Sequence, residues 1–166
     1  MIVRAATPSD YAAIRTVVLD AFGGPDEADL VEALRESGDA VIETVAAIDG
    51  GVVGHILISK LQAPDRCLAL APVSVRPAFQ KHGVGSGLIR SALDEAKKAD
   101  WQAMFLLGDP DYYTRFGFDV GRAAKFETAY PKAYFMALEL RSGALEKLIG
   151  DVVFAAPFQA LDHPDG

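Results

Sequence analysis

Gln80-Lys81-His82-Gly83-Val84-Gly85-Ser86-Gly87 separates an apolar run, Leu68 to Val75, from a segment of helical periodicity. Glycine at 83, 85 and 87 lets the backbone fold tightly and leaves no Cβ atoms to block a ligand. The first N–H groups of the helix that follows have no intrahelical acceptor, and its dipole adds partial positive charge. A site of that kind suits a phosphate or pyrophosphate. A phosphate-bearing cofactor is therefore the first functional expectation.

Upstream of the turn, Cys67 to Val75 reads as a strand. It contains Pro72, which cannot donate to a sheet ladder, so a bulge or a splayed edge is expected there. Two earlier strands, Val41 to Ile48 and Val52 to Leu61, are joined through the hairpin signal Asp49-Gly50-Gly51. Before them, Ile2 to Ala5 reads as a short opening strand. Thr7-Pro8-Ser9-Asp10 starts a helix whose Tyr11, Ile14, Val18 and Phe22 share a face. Gly23-Gly24-Pro25 breaks it, and a second helix begins near Asp26, buries Leu30, Val31 and Leu34, and ends at Gly38.

Downstream of the turn, a helix places Val84, Leu88, Ala92 and Ala96 on one face, and Ala103 to Leu107 follows as a buried strand. Asp109-Pro110-Asp111 opens a short helix carrying Tyr112 and Tyr113. Phe118 to Gly121 and Tyr134 to Leu140 read as the last strands, Arg141 to Gly150 as a short helix, and Val152 to Leu161 as a tail that packs on the body. Antiparallel hairpins around one strand–turn–helix unit favour an α+β fold over a doubly wound sheet.

With 166 residues, 51% of them hydrophobic, the chain is expected to form one domain over 1–166 with a substantial core. No apolar run reaches the roughly 18 residues of a membrane span, and no basic-then-apolar leader opens the chain. The single cysteine, Cys67, excludes an internal disulfide and a cysteine-built metal site. These features point to a cytoplasmic protein without a membrane partner. A net charge of −7 argues against non-specific nucleic-acid binding, which needs a basic surface. The apolar tail Val152 to Leu161 would serve a homodimer as well as the chain's own core.

Three explanations of the glycine turn come first. A Walker loop ends in Gly-Lys-Ser/Thr, whereas Gly87 is followed by Leu88. A dinucleotide fingerprint counted from Gly83 meets Leu88 at its sixth position, and Arg76 to His82 is a long insert between strand and glycines. A glycine-rich start to a helix, with no ligand, is the plainest alternative.

Val73-Ser74-Val75-Arg76-Pro77 followed by Gln80-Lys81-His82-Gly83-Val84-Gly85 resembles the acyl-CoA-binding motif of the GNAT superfamily of N-acetyltransferases. Tyr112-Tyr113-Thr114-Arg115-Phe116-Gly117-Phe118 is similar to the Tyr-x-x-x-Gly-Phe ending of the same superfamily. With Gly108-Asp109-Pro110 ahead of it, the segment resembles a bacterial subgroup of acetyltransferases. The order of elements resembles the superfamily over nearly the whole chain, which implies a mixed, mostly antiparallel sheet flanked by helices.

The resemblance implies acetyl-CoA as co-substrate and an amine acceptor, either a small molecule or a peptide, with no metal. It implies that backbone groups of Val73 and Val75 pair with the pantetheine arm, as an added strand would. Lys81, His82, Gly83, Val84, Gly85 and Ser86 would supply N–H groups to the pyrophosphate, with the Ser86 hydroxyl as a further donor. Tyr113 matches the tyrosine that protonates the departing thiolate, an assignment consistent with an ordinary phenol pKa of about 10. Tyr112 is expected to pack, since adjacent helical residues point about 100° apart.

Two departures bear on the mechanism. The strand Ala103-Met104-Phe105-Leu106-Leu107 lacks the glutamate that many members use to activate the amine, and Leu106 stands where many carry an asparagine. Asp109, Asp111, Glu43 and His55 remain open as bases. The acidic group Asp26, Glu27, Asp29 and Glu32 on the second helix would draw in a cationic amine or form a solvated face. A non-catalytic acyl-CoA-binding or sensing module is the competing reading.

Overall fold

The computed structural model describes residues 1–161. Its centre is a sheet in the order β1 (Ile2–Ala5), β2 (Ala40–Ile48), β3 (Gly51–Lys60), β4 (Cys67–Val75), β5 (Ala103–Leu107) and β6 (Phe135–Glu139). Every neighbouring pair is antiparallel except β4–β5. A parallel pair needs a crossover, and helix α3 (Val84–Lys98) supplies it. The β2–β3 hairpin turns at Asp49 and Gly50, with φ of 52° and 82°, as a tight turn with two left-handed residues requires. This is the α+β sheet flanked by helices that the element order implied.

Helix α1 (Tyr11–Phe22) is started by Thr7 and Asp10: the Asp10 amide donates to the Thr7 carbonyl, and Asp10 Oδ2 accepts from the Thr7 amide, each at 2.8 Å. It buries Ile14, Val17 and Val18. Tyr11 and Phe22, expected on the same face, sit at its two ends and stay partly exposed. Tyr11 lies beneath the Arg35 guanidinium, and Phe22 lines a cavity described below. Helix α2 (Asp26–Ser37) buries Ala28, Leu30, Val31 and Leu34, and terminates at Gly38 in the left-handed region.

The helices cover both faces of the sheet. On one, Leu88, Ile89 and Leu93 of α3 pack on Ile56, Ile58 and Met104, each large side chain contributing about 1.5–3 kcal/mol. On the other, Leu30 and Leu34 of α2 and Phe158 of the helix Ala156–Leu161 close over Leu57, Phe105 and Phe135. Val152, Phe154, Ala155 and Phe158 are buried, so the tail packs on the body as its composition predicts.

The expected strand from Phe118 to Gly121 does not form. Only Asp119 bridges to Ala137 of β6, and the chain then turns into α5 (Val120–Ala123). Asp119 Oδ2 accepts from the Arg122 amide at 3.2 Å, so a capping carboxylate outweighs the local strand preference. No helix among the described residues is long and apolar enough to cross a membrane.

Strand β4 is irregular in two ways, and both position the site. Val73 faces Ile56 and Leu70 faces Ile58, so three steps on β4 answer two on β3. The extra residue falls at Ala71-Pro72, where proline has no N–H to give the ladder. On the other side, β4 pairs with β5 only from Cys67 to Ala69 and then parts from it. The sequence led us to expect a bulge or a splay; both occur.

Candidate functional site

The splay leaves one edge of upper β4 open. The Arg76 amide donates to the Val53 carbonyl at 2.9 Å, making those two residues a hydrogen-bonded pair of the β3–β4 ladder. Pairs alternate along an antiparallel ladder, so His55 and Ser74 form the next bonded pair. Val73 and Val75, at the intervening positions, turn their N–H and C=O groups away from β3 and into the gap. The Val75 carbonyl is already taken by the Gln80 side-chain amide at 3.0 Å, which ties the glycine turn to the strand end. Both backbone groups of Val73 and the N–H of Val75 remain available to an extended, amide-bearing ligand.

The turn completes the other end of this gap. Lys81 and Gly83 both adopt left-handed φ, 67° and 83°, and Gly83 caps α3 with no side-chain bond to its first turn. Among the described residues, no carbonyl or side chain accepts from the N–H groups of Lys81 through Ser86. A cavity of about 520 Å³ lies against Val73, Val75, Lys81, Gly83, Gly85 and Ser86. Open amides at a 15-residue helix's N-terminus, beside a cavity, fit a diphosphate. His82 is exposed and does not line the cavity, so its contribution is confined to its backbone.

Two residues of this cavity were not read from the sequence. Tyr112, expected to pack, has its hydroxyl against Gly85, where a Cβ would meet it at 3.2 Å. Arg115 lies beside it: its Nε–H donates to the Tyr112 carbonyl at 2.8 Å, and its guanidinium stands 4.6 Å from the Tyr112 ring centroid. Arg115 forms no ion pair among the described residues, so it lines this cavity as a cation without a protein counter-charge. The signal for it was its place in the Tyr-Tyr-Thr-Arg-Phe-Gly-Phe segment; what it faces depends on how that segment packs against the turn.

Tyr113 points to a second cavity, about 430 Å³, on the far side of Val73. Its ring packs edge-on against Tyr112 at 5.0 Å and Phe118 at 6.1 Å. Asp109 Oδ1 accepts from the Asp111 amide at 2.9 Å and starts α4 (Pro110–Tyr113), the short helix that carries both tyrosines. Burial, with a smaller contribution from Tyr112, pushes the Tyr113 phenol up to about 12. It is therefore a protonated donor across the whole neutral range. Val73 lines both cavities, so a chain laid along β4 runs from the turn to Tyr113.

The base candidates fare differently. Glu43 is locked between Arg35, which donates from Nε at 2.9 Å and from its terminal nitrogen at 2.6 Å, and His55 Nε2 at 2.8 Å. Burial opposes ionisation of Glu43, but the His55 and Arg35 bonds outweigh it and hold the carboxyl below its usual range. His55 is fully buried. Neither residue, nor Asp109 or Asp111, lines the Tyr113 cavity. Among the described residues its one carboxylate is Glu27, of the acidic group on α2. Asp29 and Glu32 of that group instead pair with Arg15, each at 3.1 Å.

A larger hollow, about 710 Å³, adjoins the Tyr113 cavity across Tyr130 and Phe154 and is lined by Glu127, Asp151 and Gln159. It touches neither Tyr113 nor the glycine turn.

The chain matches the model of the Acetyltransferase (GNAT) family over residues 11–118. It is 37% identical to the N-acetyltransferase YjhQ of Escherichia coli K12 over 134 residues, which cover 76% of this chain and 72% of YjhQ. The N-acetyltransferase YhbS of the same strain is 29% identical over 164 residues, covering 95% and 98%. A crystal structure of E. coli YhbS in complex with CoA superposes with a TM-score of 0.90, covering 95% of this chain and 91% of that one. A GNAT acetyltransferase from Brucella melitensis in complex with acetyl-CoA is 35% identical, with a TM-score of 0.81 and coverage of 95% and 97%.

Proposed function

The chain belongs to the GNAT acetyltransferase family, and on that premise we propose that it moves the acetyl group of acetyl-CoA to a primary amine by direct attack in a ternary complex. The observation that carries this reading is the row of unclaimed amides from Lys81 to Ser86, opening on a cavity that continues past Val73 to Tyr113. Acetyl-CoA supplies an acyl group already activated as a thioester. The chain's own residues then have three tasks.

The first is to hold the carrier. The amides of Lys81 through Ser86 and the guanidinium of Arg115 receive the diphosphate, with the Lys81 ammonium and the Ser86 hydroxyl close by. Val73 and the Val75 N–H pair with the pantetheine amides as a sheet neighbour would. The second is orientation: fixing both reactants in one cleft removes the entropy cost of a bimolecular encounter. An N–H of β4 beside the Pro72 bulge stabilises the charge that the acyl oxygen gains.

The third is proton management. The amine, neutral after losing one proton to solvent, forms its bond to the acyl carbon as the carbon–sulfur bond breaks. Tyr113 gives its proton to the sulfur and is restored by the second proton leaving nitrogen. One amide, one thiol and one proton result. Native mass spectrometry of the purified protein, followed by a thiol-release assay with acetyl-CoA and a panel of primary amines, tests the reading. Retained CoA and amine-dependent thiol release support it. CoA retention without turnover on any amine would favour the sensing module instead.

A further inference from the structure

The walls of the Tyr113 cavity describe the acceptor. Apart from Glu27, the described side chains around it are apolar or aromatic, among them Phe22, Leu30, Leu107, Phe154 and Phe158. Phe22 and Leu107 remain 45% and 37% exposed, so an apolar lip faces solvent at the lining. Among the described residues, no lysine, arginine or histidine contributes to the wall. Glu27 is half-buried and has neither an ion pair nor a hydrogen bond among the described residues, unlike Asp29 and Glu32 on the same helix. A carboxylate left unpaired against an apolar wall lacks a cationic partner, and a cationic substrate would supply one.

We propose that this cavity takes a primary amine carried on an apolar, ring-sized body, and that Glu27 is the specificity-determining residue that receives its ammonium. The inference rests on the acetyl-CoA reading above and narrows its acceptor. About 430 Å³ is in the range of small-molecule sites. A polyamine would bring further charges against the phenylalanine and leucine side chains of this cavity, where Glu27 is the one carboxylate among the described residues. An amino acid would bring an α-carboxylate to a wall with no cation among the described residues. A monoamine on an aromatic or aliphatic body satisfies both the charge and the surface. Glu27 only holds the ammonium; the proton goes to solvent before attack, so the carboxylate is not consumed.

The test compares 2-phenylethylamine, spermidine and L-phenylalanine as acceptors, alongside calorimetry of 2-phenylethylamine binding to the CoA-loaded protein. We expect kcat/KM for 2-phenylethylamine at least about tenfold above the other two, the factor expected of one charge-assisted contact. Glu27→Gln should weaken its binding by about tenfold, mainly through KM, while CoA affinity stays unchanged. A carboxylate stabilises the bound ammonium, so the same variant should shift the acid limb of kcat to lower pH. Glu36→Gln, an exposed position of the same helix outside both cavities, should change none of these. Preference for spermidine or phenylalanine, or unaltered amine binding in Glu27→Gln, overturns the inference even with CoA binding intact. Failure of the wild-type protein to bind CoA at all overturns the reading beneath it.

Discussion

A Cβ atom on Gly108 would lie 2.4 Å from Cε2 of Tyr113 and 2.7 Å from its Cδ2. Glycine is needed there for space: the end of β5 passes so close to the tyrosine ring that any side chain would displace it. Gly108→Ala should therefore move the phenol away from the thioester sulfur. Overpacking of this kind costs about 1–3 kcal/mol. We expect kcat to fall by about tenfold or more, as misplacement of a positioned group does, with CoA affinity nearly unchanged. Steady-state kinetics beside CoA calorimetry checks this; a variant with wild-type kcat would show that the ring need not be held.

Tyr113→Phe keeps the packing and removes the proton. Loss of a general acid reduces kcat by about 10²-fold at neutral pH, with little change in KM for acetyl-CoA. The wild-type phenol, raised to about 12, should give no alkaline limb in kcat between pH 7 and 10. Its sign for stability follows from the same shift: the contribution is complete below the unfolded phenol value of about 10 and is lost as pH rises toward 12. An alkaline limb near neutral pH that vanished in the phenylalanine variant would assign the phenol a different role.

Arg115→Ala removes an unpaired cation from the cavity at the glycine turn. We expect CoA binding to weaken by about tenfold, equivalent to about 1.4 kcal/mol, and its salt dependence to become shallower. Pantetheine, which lacks the diphosphate, should bind wild type and variant equally. Calorimetry at two salt concentrations measures both.

Glu43→Gln tests the buried Arg35–Glu43–His55 cluster. Breaking a buried ion pair leaves Arg35 without its counter-charge and should cost about 3 kcal/mol of folding stability. Because the folded carboxyl is held below its usual range, the wild-type advantage is complete above about pH 4.3 and disappears as pH falls through the folded value. Urea denaturation of both proteins at pH 7 and in acid follows this. In the folded variant, CoA affinity should match wild type, since Glu43 touches neither cavity.

What the sequence made legible was local. The bounds of β4, the hairpin at Asp49-Gly50, the turn at Gly83 and the short helix bearing Tyr113 each depend on residues a few positions apart. Phe118 to Gly121 misled because its apolar residues suit a strand, while Asp119 caps a helical turn instead. Glu27, Arg115 and the aromatic wall of Phe154 and Phe158 acquire meaning only through packing between distant segments. Spacing alone could not separate Glu27 from Asp29 and Glu32, because Arg15 on another helix neutralises the latter two.

The most direct test of the account is an amide NMR titration of the protein with CoA. The resonances of Lys81 through Ser86 should shift strongly on adding CoA and hardly at all on adding pantetheine, as expected if those N–H groups hold the diphosphate. CoA binding that left those six amides unmoved, or that pantetheine reproduced in full, would contradict it.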